Sequence, residues 1–386
     1  MNVTLGLRRA ALLASLGLVG TAAAQQLPVP PPAGGSPTVL VLPPAGAPTT
    51  PLPPPPPGPV APITVPPPPQ IVDLTPAEPV HKPIFESHPE GCKPEECKPA
   101  FLTSIEYLLV RPRRRGNDYA IVDPNGANLT PEGRIKSVGF ETDSGLRASV
   151  GYRSPSGWEV LFTYYYLHSG DANTVAAPAG GLLYATLTRP GLVDQAAFAA
   201  ADTSLNLQVY DLEAARTFHA DDSLSFRVSF GPRIASMGQD LNAYYFGGDA
   251  TGTAVRTRTE FDLGGVTAGG QAEWLFGHGL RVYGKSRASL LYGQFTNTLR
   301  ETDNGGLTLN ADVSEHYSAA VPVIELGAGL AYEYKGLRVA VGYEVQNWFN
   351  VIDSPAFTND FAEGKIGRRK SDLSLEGLFF QLGLTY

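Results

Sequence analysis

The sequence predicts an all-β fold: a closed antiparallel barrel of about ten strands, 12 being the competing count, that crosses a membrane by strands. Three observations predict it. The chain ends in Phe380-Gln381-Leu382-Gly383-Leu384-Thr385-Tyr386, an alternation of large apolar with small or polar residues that stops on an aromatic. One face of such a strand suits lipid and the other a lumen. Short links alternate with long ones from residue 100 onward. No segment approaches the roughly 18 unbroken apolar residues of a membrane helix.

The N-terminus reads as an export signal over 1–24. Arg8 and Arg9 supply positive charge, Ala10 to Gly20 a short apolar core, and Ala22-Ala23-Ala24 a cleavage site. Residues 25–99 form a linker, dominated by proline up to about residue 75, as in Pro53-Pro54-Pro55-Pro56-Pro57. Proline lacks the amide donor that ladders and helices need, so polyproline II and a disordered, semi-rigid spacer are expected. The 2 cysteines, Cys92 and Cys97, follow. In an oxidising compartment they suit a small disulfide loop; free or intermolecular thiols are the alternative. His81 and His88 lie close, but the spacing matches no standard zinc pattern, and no metal is expected.

The barrel is expected over 100–386. Its strands fall at about 101–111, 143–153, 158–168, 205–218, 223–237, 262–276, 280–296, 321–334, 337–349 and 374–386. The links 112–142, 169–204, 238–261, 297–320 and 350–373 read as long outer loops. The Ala-rich stretch after 168 leaves room for a helix or two more strands. An even strand count puts both ends on the same, periplasmic side. Tyr152, Trp158, Phe218, Trp274, Phe276, Tyr332, Tyr334 and Tyr386 gather beside the short turns and the C-terminus, as an interfacial girdle would. Strand 205–218 breaks parity: Leu205, Leu207 and Val209 disagree with Tyr210, Leu212 and Ala214, and a bulge is expected there.

Parity assigns the faces. Leu224, Phe226, Val228, Phe230, Pro232 and Ile234 point to lipid, and so do Leu337, Val339, Val341, Tyr343 and Val345. A charge on that face costs about 2–4 kcal/mol at mid-bilayer, so charges must point inward. The lumen set is Glu106, Arg147, Glu159, Asp211, Glu213, Arg227, Arg233, Glu273, Arg281, Lys285, Arg287, Glu325, Arg338 and Glu344, with Arg153 and Glu333 beside them. Acids and bases balance, as cross-strand ion pairs require, whether they fill the barrel or line a narrow aqueous path.

Net charge of −8 excludes a nucleic-acid partner. Gly279 to Ser286 match the G-x4-G-K-S phosphate-loop pattern formally, but the text continues as a strand, and no nucleotide or other cofactor is expected. His168, Ser169 and Asp171 lack a nucleophile elbow, and no enzyme is expected.

Certain texts carry a family resemblance. They are Tyr210-Asp211-Leu212-Glu213, the run from Phe230 to Gln239, the run from Gly284 to Gly293, Gly342-Tyr343-Glu344-Val345-Gln346-Asn347-Trp348, and the closing strand. Over about 101–386 the chain resembles the Legionella-type major outer membrane protein family of pore-forming β-barrels, in the variant with a Pro-rich extension seen in planctomycete-like proteins. The resemblance implies an outer-membrane location and a porin-like role, with no catalytic residues. Its partners would be outer-membrane lipid and the barrel assembly machinery, reached through the strand ending at Tyr386, where the family often ends in Phe. The Pro-rich arm lies outside the resemblance. A cell-wall or periplasmic partner for that arm, held by an occluded barrel, is the alternative to passive passage of small solutes or ions.

Overall fold

The computed structural model describes residues 98–126, 130–358 and 365–386, all within the second of two units, Val80–Tyr386. The signal, the Pro-rich segment and the Cys92/Cys97 pair lie outside the described residues.

The strands are β1 (Ala100–Arg114), β2 (Asp118–Asp123), β3 (Arg134–Ser137), β4 (Asp143–Arg153), β5 (Trp158–Ala176), β6 (Leu182–Ala185), β7 (Gln195–Ala196), β8 (Phe198–His219), β9 (Leu224–Gly247), β10 (Ala250–Gly277), β11 (Leu280–Asp303), β12 (Thr308–Tyr334), β13 (Leu337–Phe357) and β14 (Ile366–Thr385). Ten close a barrel in the order β1-β14-β13-β12-β11-β10-β9-β8-β5-β4. Every neighbouring pair in that ring is antiparallel. Closure is completed by β1 against β14, from Leu102↔Thr385 to Arg114↔Leu373, so no edge is left unpaired.

The short links are tight turns. Lys335 and Gly336 both take positive φ (50° and 81°), the left-handed pair that a two-residue hairpin needs to match strand twist. At that end of the barrel the girdle aromatics point outward, from 40% exposed at Trp158 to 71% at Tyr386. Arg216, outward among them, lies over the rings of Trp158 and Phe218 at 5.7 and 5.5 Å, its charge held at the interface level.

Three expectations need correction. The links 238–261 and 297–320 are not loops. Their residues extend β9 and β10, and β11 and β12, into walls of up to 28 residues joined by tight hairpins. A bilayer needs only about 9–11 residues per strand, so these walls stand well beyond it, and their polar outward positions hid them. The bulge in 205–218 is absent. The β8–β9 pairing keeps a single register from Phe198↔Phe246 to His219↔Ser225, with Leu205, Leu207 and Val209 facing inward. Finally, the two extra strands after 168 exist as β6 and β7 but stay outside the ring. With β2 and β3 they form a separate sheet, β3-β2-β6-β7.

That small sheet has a physical reason. The tall side carries small and apolar residues on its inner face: Ala199, Ala201, Leu241, Ala243, Tyr245 and Val255. Links from the shorter strands fold over them, and Tyr119, Ala120, Leu183, Val193 and Ala196 complete the cluster. Tyr245 Oη donates to the Tyr119 carbonyl at 2.6 Å, and the Arg189 amide donates to Glu301 Oε2 at 2.7 Å.

Candidate functional site

The interior is layered, and single strands show the layers in sequence. Inward positions of β1 read Glu106, Leu108, Val110, Pro112, Arg114. Those of β14 read Gln381, Phe379, Gly377, Leu375, Leu373, Ser371, Arg369. Those of β9 read Arg233, Ala235, Met237, Gln239. Charge comes first, near the termini; an apolar layer follows; a polar layer lies beneath the small sheet.

The charged layer brings the whole lumen set together. Glu344 accepts from Arg147 Nη2 (2.6 Å) and Lys285 Nζ (2.9 Å), while Arg147 Nη1 also reaches Glu106 at 2.5 Å. Gln381 Nε2 donates to the other Glu106 oxygen at 2.8 Å. Across the barrel, Arg233 grips Asp211 bidentately (Nε to Oδ1 2.7 Å, Nη2 to Oδ2 2.9 Å) and also pairs with Glu325. Arg287 bridges Asp211 and Glu213 at 3.2 and 2.5 Å. Glu159 holds Arg153 and Arg227 at 2.8 and 3.0 Å, and Glu273 holds Arg338 and Arg281 at 2.6 and 3.4 Å. Glu333 takes the remaining edge of Arg281 at 3.2 Å.

Bidentate and shared carboxylates of this kind are the geometry in which attraction offsets desolvation. Arg233 and Arg147 are sunk in the layer (2% and 11% exposed), but four other bases stay partly accessible: side chains of Arg227, Lys285, Arg287 and Arg338 are 23–28% exposed, against 5% for Glu159 and Glu344. Those four bases therefore present their outer surfaces to a cavity of about 400 Å³. Aromatic faces support them from the side. Arg147 lies over Tyr165 (5.2 Å), Lys285 over Phe379 (4.4 Å) and Arg338 over Tyr283 (5.3 Å). A Cβ at Gly342 would stand 2.5 Å from the Phe379 ring, and one at Gly329 would stand 2.9 Å from Tyr283 Oη, so glycine makes room for both.

The apolar layer was not legible as a lumen feature. Leu108, Val110, Leu167, Leu205, Leu207, Val209, Met237, Phe261, Leu263, Leu291, Phe295, Val321, Val323, Trp348, Leu373 and Leu375 form one buried cluster above the charges. The signal was present in Leu205, Leu207 and Val209, whose parity with Asp211 and Glu213 already put them inside.

The formal motifs separate. Gly279 belongs to a turn (φ 85°) and the rest of that text to β11, with Lys285 committed to Glu344. His168 is exposed on one face of β5, whereas Ser169 is buried on the other and donates to Asp143 at 2.5 Å. Among the described residues no cluster of His, Cys, Asp and Glu could hold a metal ion.

Residues 93–386 match the family described as the Legionella pneumophila major outer membrane protein precursor. No curated protein matches the chain. Among solved structures, the Escherichia coli outer membrane protease OmpT is similar at 9% identity and a TM-score of 0.43, over 74% of this chain and 96% of that one. The Pseudomonas putida toluene transporter TodX is similar at 10% identity and 0.33, over 77% and 91%. Ail of Yersinia pestis is similar at 10% and 0.19, over 74% and 99%. At these scores none of the three carries a functional argument. The family match covers most of the chain and agrees with the ring of ten strands and its two-faced walls. The chain is an outer-membrane β-barrel and belongs to the family of the Legionella major outer membrane protein.

Proposed function

We propose that the barrel gives passive passage to small solutes or ions, and that the structure is its closed state. One observation carries this: a cavity of about 400 Å³ inside the barrel, lined by bases that are paired yet keep part of their surface open to it. A purely structural filling would have no use for that accessible cationic surface. The apolar layer supplies the gate, since a hydrophobic constriction closes a pore by excluding water and opens when its side chains part. The lumen residues Arg281, Lys285 and Arg287 on β11 then set the field along the path.

The second reading is an occluded barrel that holds the Pro-rich arm for the cell wall or a periplasmic partner. The continuous apolar layer favours it.

Planar-bilayer recording of the full-length refolded protein separates them. Passage predicts reproducible unitary steps, and replacing Arg281, Lys285 and Arg287 by Gln leaves an acidic excess that shifts the reversal potential toward cations. Absence of steps, with loss of envelope attachment on deleting residues 25–99, favours the occluded barrel. Steps indifferent to the triple replacement contradict the assigned path.

A further inference from the structure

Ring closure leaves no strand at an edge, yet β12 and β13 do not pair over their whole lengths. Their ladder runs from Tyr334↔Leu337 only to Val323↔Trp348, while β11 follows β12 as far as Thr308. Among the described residues no ladder occupies the β13 side of 308–322. At the same height β13 turns away. It spends four steps, Trp348 to Ile352, where β14 spends two, Leu373 to Ser371. Asn350, inside this bulge, takes a φ of 51°, and its amide donates to Asp372 Oδ1 at 2.7 Å. Beyond the bulge β13 and β14 stay paired with each other, from Ile352↔Ser371 to Phe357↔Ile366.

The faces show where the paired ends go. Parity on β14 puts Leu373 and Leu375 inside and Arg368 outside. Parity on β12 puts Val321 and Val323 inside, and Glu315 and Tyr317 with them. Yet Arg368 Nη1 donates to Glu315 Oε2 at 2.5 Å, its Nη2 donates to Oε1, and its guanidinium lies over the Tyr317 ring at 5.9 Å. The outer face of the β13–β14 end therefore rests on the inner face of β12, and the end is folded into the lumen. Burial agrees. Pro355, opposite Arg368 and so on the same outer face, is buried. Val351 and Ile352 are consecutive, yet both are buried in the apolar cluster, at 0% and 1% exposure. A wall strand alternates its faces between inside and outside; a strand buried on both faces lies inside.

The fold thus offers this end two seats. Folded in, it buries Val351 and Ile352 and closes a bidentate ion pair. Swung out about 349–351, it continues the ladder along a side of β12 that no described strand uses. Two packings of one segment, each with its own gain, are the elements of a switch. We propose that the paired ends of β13 and β14, 352–357 with 366–371, are a gate. It is hinged at 349–351 and latched by Arg368 on Glu315. It opens by swinging out onto β12, which withdraws Val351 and Ile352 from the apolar layer. That the movement opens a path rests on the passage reading; the movement itself does not.

The test follows backbone hydrogen exchange in the full-length protein, refolded in detergent, with planar-bilayer recording beside it. In wild type, peptides covering 308–322 should hold two classes of amide: protected ones bonded to β11 and fast ones on the β13 side. Arg368→Glu sets two carboxylates face to face and expels the end, so the fast class should slow at least about tenfold as it pairs. Glu315→Arg should do the same, and the double swap should restore the wild-type pattern. Arg300→Gln, on the outer wall, should exchange as wild type. If a charge reversal does not refold, Arg368→Gln replaces it, with a smaller slowing expected. A wild type without a fast class over 308–322 overturns the proposal, as does a refolded latch variant whose fast class is unchanged or enlarged. In the bilayer, latch release should raise the open probability and the double swap should return it. Slowed exchange without unitary steps in any variant keeps the movement and removes the passage reading. Slowed exchange with steps of unaltered open probability overturns the gate.

Discussion

Two layers of one lumen treat charge in opposite ways. Near the termini each buried acid meets bases, and each base meets acids, so the layer is close to neutral and sealed to the wall by shared carboxylates. Beyond the apolar cluster, Arg114 and Arg369 each reach an uncharged partner, Gln239 and the Thr186 carbonyl, with no carboxylate paired to either among the described residues. The apolar cluster separates the two. The difference teaches that inward charge in this barrel is not of one kind. Where pairing is complete, a residue is held by its partners and its loss is felt as instability. Where pairing is missing, stability gains little from the charge.

The largest effect should come from breaking the paired layer. Arg233→Met removes the partner of Glu325 and leaves Asp211 with Arg287 alone, and should cost about 3–5 kcal/mol, the scale of an orphaned buried charge. On a detergent gel, conversion from the folded to the unfolded band at a lower heating temperature than wild type would register it. Arg114→Gln, at a position with no carboxylate partner among the described residues, should leave the midpoint unchanged or raise it. Equal losses at the two positions would erase the distinction between the layers.

Next in size is a test of the wall. Phe226→Arg and Val341→Arg put charge on the outward face and should each cost about 2–4 kcal/mol of insertion energy. Both positions are about 40% exposed on the barrel exterior. Arg338→Ser, on the inward face, should still insert, but with lowered stability because Glu273 keeps only Arg281 and Gln271. Insertion that fails for Arg338→Ser and survives Phe226→Arg would invert the assigned faces.

The smallest effect concerns the tether between wall and small sheet. Glu301 is fully buried, and its carboxyl is held above the usual carboxylate range by desolvation, against the hydrogen bonds from Asn310 and the Arg189 amide. A carboxyl raised on folding favours the folded state while it is protonated. Its contribution is complete below the unfolded value of about 4.3 and fades as pH rises through the folded value. Glu301→Gln should therefore flatten the pH dependence of unfolding just above pH 4, and at pH 7 it should not destabilise. A variant with an unaltered pH profile would remove Glu301 from that role.

Much of this was readable in the chain because strand parity is strict. The period of two carries Glu106 and Glu344 to one face and Phe226 and Val341 to the other whatever the rest of the protein does. The same rule, continued past Glu106, places Arg114 inside; the expected strand simply stopped at 111. Height was harder to read. Arg256, Arg258 and Asp262 point outward on β10, above the apolar band, and a strand with polar outer positions is indistinguishable from a polar loop by pattern alone. The apparent bulge had a related cause. Leu205, Leu207 and Val209 were judged against lipid, because nothing local marks an apolar residue as lumen-facing.

The sequence by itself determined the barrel, a ring of about ten strands, the inward face of the charges on the strands it recognised, and the family, since these rest on local periodicity and on texts a few residues long. The tertiary structure alone decided which acid meets which base, that an apolar layer crosses the lumen, that the links beside the shorter strands become a sheet against the taller wall, and that Arg114 reaches Gln239 while Arg369 reaches the Thr186 carbonyl. Those facts depend on registers summed around a closed ring. Partners such as Arg147 and Glu344 lie 197 residues apart in the chain, and closure, not proximity in sequence, brings them together.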